Sequence, residues 1–203
     1  MIPACRQADY DFMKKIFFDV ETKNTFDDVG ERNPALLDVS LVGIYDSEND
    51  KFDSFLENEL QNLWPLFEKA DSIIGFNSDH FDIPLLNKYY SGDLTKIKSV
   101  DIMKDIKKSL GRRIGLDAVA KATLGIGKTG HGMDAIEWWK KGEIDKIRQY
   151  CLDDVRITKG VYDFALQNGH LKYFNGFKIK EVPIDTSEWE KKENSGITQT
   201  LGF

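Results

Sequence analysis

The 203-residue chain is 41% hydrophobic and holds four tryptophans, enough apolar material for one good core, and one domain is the reading this length supports. A formal charge of −6 and a pI near 5.2 argue against non-specific nucleic-acid binding driven by overall charge, but do not exclude an enzyme whose metal ions and local basic patches meet phosphates. Cys5 and Cys151 form no metal-ligand spacing, residues 1–10 lack the apolar stretch of a signal peptide, and no run approaches the roughly 18 residues of a membrane span; a soluble cytoplasmic protein with no membrane partner is expected.

Residues 1–14 read as an N-terminal extension. Residues 15–20 form the first predicted strand, an apolar run ending in Asp19 and, one residue further on, Glu21. The stretch 23–34, rich in Asp and Asn and containing Gly30 and Pro34, reads as a loop beside that acidic pair. Residues 36–45 suit a central strand, 46–50 a turn, and 51–56 a third strand, giving an antiparallel meander with the first. Leu60, Leu63, Trp64 and Phe67 recur at helical spacing and predict a packing helix over 59–70. A short buried strand follows at 72–76, where Gly75 lets a neighbour approach closely. A helix is predicted over 81–90 with Pro84 in its first turn, where a missing N–H is harmless.

Residues 97–100 read as another short strand, and Asp101 is placed to cap a helix over 102–110. The helix at 116–124 closes on Gly125. The stretch 125–132 is too glycine-rich for regular structure and is expected to be mobile. A short helix with Trp138 and Trp139 precedes a long one from 143 to about 167. Strands alternating with helices after a meander predict an α/β sandwich with a mixed five-stranded central sheet flanked by helices. Residues 171–182 predict a hairpin around Asn175-Gly176, a favoured two-residue turn, and a polar tail is expected from Asp185. The division is thus an extension over 1–14, a main domain over 15–168, and a hairpin with tail over 169–203.

Alternate side chains of a strand share a face, so Asp19 and Glu21 stand side by side. Two carboxylates in one place repel, and each is driven to take up a proton unless a cation sits between them; a hard divalent ion with oxygen ligands meets that need. A strand running out into an acidic loop would carry the same residues, so the pair gains weight only from the rest of the chain. Residues 77–82 lie between a strand's carboxyl end and a helix start, where open α/β sheets bind ligands. Asp82 there suits a helix N-cap equally well. In the long helix, about 100° per residue puts Ile147, Cys151, Asp154, Thr158, Val161 and Ala165 on one stripe. Asp154 sits in its middle, while Asp153 points away toward solvent. A carboxylate on a packing stripe costs free energy unless charge or donors meet it. Tyr150, one turn earlier, faces the same place.

Taken together, Phe18-Asp19-Val20-Glu21-Thr22, then Asn77 through Phe81-Asp82, then Tyr150-Cys151-Leu152-Asp153-Asp154 resemble, in order, the three motifs of the DEDD superfamily of 3′–5′ exonucleases, the DnaQ-like members of the ribonuclease H-like fold. The resemblance runs over about 15–167. Tyr150 stands four residues before Asp154, and Gln149 stands where the other subclass has His, so the chain is similar to the tyrosine subclass, which includes proofreading domains of DNA polymerases and several RNA-trimming enzymes. The resemblance implies that Asp19, Glu21, Asp82 and Asp154 hold two Mg2+ ions, for which Mn2+ can substitute, and that Tyr150 orients the attacking water. With a reference pKa near 10, a phenol is better suited to that role than to acting as a free base. Two ions about 3.5 to 4 Å apart can activate water and neutralise the leaving 3′-oxygen.

The expected substrate is the 3′ end of single-stranded DNA, with RNA as the alternative and a non-catalytic nucleic-acid-binding domain as the reading from a different class. Thr22, Asn77 and Phe81 are candidate substrate contacts, and Phe26 and Phe81 could stack on terminal bases. Lys128 and His131 suit a lid over the scissile phosphate, or a surface loop with incidental charges. Lys104, Lys107, Lys108, Arg112 and Arg113 could track a nucleic-acid backbone, or form a solvated helix face. Gln199-Thr200-Leu201-Gly202-Phe203 loosely resembles the peptides that dock on sliding clamps, so a clamp or polymerase partner is a further expectation.

Overall fold

The computed structural model describes residues 13–127 and 132–192. The bulk of the expected extension, Lys128 and His131, and the clamp-like peptide at 199–203 lie outside the described residues.

Strand β1 (Lys15–Thr22) sends Ile16, Phe18 and Val20 into one apolar core and Phe17 into another. A strand apolar on both faces belongs in the middle of a covered sheet. β1 is indeed central: β2 (Val39–Asp46) pairs antiparallel on one side and β4 (Ser72–Gly75) parallel on the other. β3 (Lys51–Leu56) and β5 (Ser99–Asp101) complete the sheet in the order β3-β2-β1-β4-β5. This is the expected mixed five-stranded sheet, flanked by helices in the ribonuclease H-like manner.

Several local elements differ from expectation. The loop after β1 contains a short helix, α1 (Phe26–Val29), because Thr25 and Asp28 form a reciprocal capping box. A 3₁₀ turn at Pro34–Leu36 delays β2 to Val39. The helix expected over 59–70 is a 3₁₀ turn (Glu57–Asn62) followed by α2 (Trp64–Glu68). Pro65 has no N–H to continue a preceding helix but is suited to start one. The stripe nevertheless packs, with Leu60, Leu63 and Phe67 buried. α3 spans only Asp82–Asn87, and Phe81 rather than Asp82 occupies its N-cap.

α4 (Ile102–Leu110) is capped by Asp101, and α5 (Leu116–Leu124) ends on Gly125, both as expected. α6 (Gly132–Lys141) carries the tryptophan pair and leads into α7 (Ile144–Asn168). Every residue of the predicted stripe on α7 is buried. β6 (His170–Phe174) and β7 (Ile179–Pro183) form the expected hairpin, which packs on α5. Its connection has four residues instead of two, because the Asn175 side chain accepts from the N–H groups of Phe177 and Lys178 and builds a wider turn.

The expected polar tail is packed through its described part. Trp189 is buried, stacks on Tyr162 of α7 at 4.8 Å, and donates from its indole to Asp105 of α4 at 2.8 Å. Glu190 accepts from the Tyr162 hydroxyl and from Lys15. No helix among the described residues is long and apolar enough to cross a membrane.

Candidate active site

Asp19 and Glu21 extend from the same face of β1 as Phe17, and Phe17 meets Tyr162 of α7 edge-on at 5.1 Å. The strand's own periodicity therefore aims both carboxylates at the long helix. Across the sheet, Gly43 of β2 pairs with Asp19, and a Cβ added there would lie 2.9 Å from the Cys151 sulfur. That missing side chain lets α7 settle close to the strand beside the acid pair. Tyr150 and Asp154 follow on the buried stripe of α7. Asp154 is only 2% exposed, while Asp153 is held outside by Arg156 and Gln149.

The remaining wall comes from the turn between β4 and α3. Gly75 ends β4, and a Cβ there would stand 2.5 Å from that of Ser78, so the chain folds back directly on the strand end. Asn77 takes a left-handed conformation at φ 70°, which Asn tolerates better than most residues. Its backbone N–H donates to Asp101 at 2.8 Å, and that of Asp79 donates to the same carboxylate at 3.2 Å. Asp101 also caps α4 through Met103 and Lys104, so one buried side chain fixes the turn to the next helix. The cap expected from sequence thus has a second task, which no local pattern announces.

These parts enclose a cleft of about 440 Å³ lined by Asp19, Glu21, Asp82, Tyr150 and Asp154. Thr22, Asn77, Phe81 and Phe26 line it too, and Phe26 and Phe81 meet edge-on at 6.0 Å. Tyr150 is buried with its ring edge-on to Trp138 at 6.0 Å, which gives one of the two α6 tryptophans a supporting place. Met133 and Ile136 of α6 form a wall that sequence reasoning did not assign; their i, i+3 spacing on a short helix was the available signal.

The acids from these separate pieces act on one another electrostatically. Burial, then the charges of Asp19 and Asp101, push the Asp82 carboxyl well above the ordinary carboxylate range, while backbone hydrogen bonds at Asp82 and Val20 pull the other way. The buried Cys151 thiol is raised by burial first and then by Asp19, Glu21 and Asp154. Its sulfur lies 3.4 Å from the Asp19 carbonyl oxygen, and ligand atoms of Asp19, Glu21 and Cys151 fall within 4.8 Å of one another. In the sequence Cys151 stands on the helix stripe and within the third motif, and neither place gives it a role of its own. All four candidate ligands offer hard carboxylate oxygens, and burial together with the charges of Asp19 and Asp101 disfavours the ionised form of Asp82. Such a donor set fits a hard divalent ion.

Among known structures, the family B DNA polymerase from the hyperthermophilic archaeon Pyrobaculum calidifontis superposes with a TM-score of 0.59 at 20% identity, over 76% of this chain and 24% of that one. Trypanosoma brucei RNase D superposes with a TM-score of 0.55 at 18% identity, over 77% of this chain and 58% of that one. The chain thus spans less than two thirds of either protein, and at these identities the likeness is one of fold. No curated protein matches the sequence. A family model described as the RNase H superfamily matches residues 16–166, which runs from the first strand through nearly all of α7, and the chain belongs to that superfamily.

Proposed function

We propose that the protein is a metal-dependent 3′–5′ exonuclease of the tyrosine subclass, acting on the 3′ end of single-stranded DNA. The observation that carries this reading is the meeting of Asp19, Glu21, Asp82, Asp154 and Tyr150 in one cleft, from three segments remote in sequence. Superfamily membership and the order of the three motifs support it. The four carboxylates would hold two Mg2+ ions, or Mn2+ in their place, which supply an activated water and neutralise charge on the leaving oxygen. The chain's own groups position the reactants. Tyr150, buried against Trp138, donates a hydrogen bond that aims the water. Phe81 and Phe26 present ring surface to the terminal base. Asn77 and Thr22 offer polar atoms to the terminal nucleotide.

RNA is the second reading, favoured by the likeness to an RNase D at nearly the same TM-score as to a DNA polymerase. A 2′-hydroxyl contact would separate the two. A non-catalytic binding module would have no need of a buried acid cluster whose repulsion costs stability. The test uses 5′-labelled DNA and RNA oligomers with and without Mg2+. Shortening from the 3′ end is expected only with metal, lost in Asp19→Ala and Asp154→Ala and retained in Asp153→Ala. Tyr150→Phe should lower turnover while metal affinity by calorimetry stays close to that of the parent. A metal-independent ladder, or Asp153→Ala as inactive as Asp154→Ala, would overturn the assignment.

A further inference from the structure

Asn77 lines not only the acid cleft but also a second cleft of about 180 Å³, whose cationic wall is Lys104, Lys107 and Arg113. The two are therefore contiguous across one residue. The chain carries a net charge of −6, and about half of the described lysines are matched to a carboxylate, as in Lys14–Glu48, Lys88–Asp38 and Lys159–Asp163. Lys107 and Arg113 have no ion pair, side-chain hydrogen bond or aromatic partner among the described residues, and both face this cleft. Lys107 sits in the last turn of α4, where a cation complements the helix dipole. Arg113 lies beyond the helix's closing Gly111 and gains nothing from that dipole, so helix chemistry does not explain its place. Lys104 is paired with Asp79 at 2.6 Å, but its side chain is 70% exposed, and a pair that open contributes little and can be exchanged for another anion.

The relative placement of the two clefts is fixed. Asp101 accepts from Asn77 and Asp79 on the turn and from Met103 and Lys104 on α4. One carboxylate thereby holds the wall of the acid cleft and the helix that bears Lys104 and Lys107.

We propose that Lys107 and Arg113, with Lys104 at the rim, form a phosphate subsite for the single strand upstream of its 3′ end. The inference rests on the exonuclease reading, which places the 3′-terminal nucleotide among the four acids; the strand then leaves past Asn77, and its next phosphates meet the free cations. Anionic phosphates and unmatched cations are complementary, and the acid cleft itself repels the strand's backbone wherever metal does not intervene. DNA and RNA share this chemistry.

The test compares the parent with the Lys107→Ala/Arg113→Ala double variant on a dinucleotide and a 20-mer, each as DNA and as RNA. The subsite predicts that the ratio of kcat/KM for the 20-mer over the dinucleotide falls on the order of tenfold. Binding of a fluorescent 20-mer with a non-hydrolysable 3′-terminal linkage, measured by anisotropy in Mg2+, should show a salt dependence shallower by about 1.4 in log–log slope, as two lost phosphate contacts on a single strand require. A Lys107→Arg/Arg113→Lys variant should restore most of both. An unchanged ratio and slope, or an equal loss on both substrate lengths, would overturn the proposal. A parent protein that binds the 20-mer through these side chains yet cuts neither substrate would instead sink the exonuclease reading and leave the subsite standing.

Discussion

Gly75 and Ser78 are three residues apart, and their contact decides where Asn77 and Asp82 stand. Ser78 is fully buried, and its hydroxyl makes no hydrogen bond among the described residues; it is present as volume packed against a glycine. Gly75→Ala would push a Cβ into that space, 2.5 Å from the serine's own, and overpacking of this kind costs about 1 to 3 kcal/mol. The turn must move, and a shift near 1 Å at a site that positions reactants can cost about a hundredfold in rate. Gly75→Ala should therefore lose far more activity than its denaturant-measured stability suggests, and adding Ser78→Gly should recover most of both. A double variant as impaired as the single would show that the close approach is not the cause. A glycine at this strand end signalled a close neighbour in the sequence itself, and periodicity likewise separated Asp154 from Asp153. Cys151 was less legible as a site residue, because its position depends on a glycine across the sheet that no local pattern links to it.

Elements were legible wherever one helix or strand carries its own repeating signal. β1, α4, α5 and α7 fall close to where their periodicity and caps place them. The segment after Ile184 defeated the same reasoning, since one tryptophan in a run of charged and polar residues has no period. Its partners are supplied by the fold: Trp189 is held between the Tyr162 ring and the Asp105 carboxylate, and Lys98 donates to the backbone of Glu188. The segment thus ties α7 to α4 from outside the sheet. Removal of a buried large aromatic costs about 3 to 5 kcal/mol, and here it also strips a hydrogen bond from Asp105, whose pKa is already raised by burial. Trp189→Ala should lower the melting temperature on the order of 10 °C. A thermal scan matching the parent would mean that the segment only rests on the surface.

Over the whole molecule, the acid cleft opposes the fold that builds it whenever no cation is bound. The Asp82 carboxyl is held well above its ordinary 3.8, by burial first and by Asp19 and Asp101 next. In the metal-free folded protein it binds its proton more tightly than in the unfolded chain. Its contribution to stability is therefore complete below the ordinary value and is lost as pH climbs from there through the raised one. On the proposed reading, metal binding at Asp82 would require the ionised carboxylate, so uptake would release that proton and strengthen as pH rises. In EDTA the melting temperature should accordingly decline as pH climbs above the ordinary carboxylate range, whereas saturating Mg2+ should oppose the decline. At a hundred times its dissociation constant a ligand adds about 2.7 kcal/mol, or roughly 5 to 10 °C for a chain of this size. Asp82→Asn removes both the titrating proton and one proposed ligand, so its EDTA profile should be flatter and its Mg2+ shift smaller. Melting profiles that coincide with and without Mg2+ at every pH would mean that these carboxylates converge for some purpose other than holding a cation, and with that the phosphodiester chemistry would lose its physical basis.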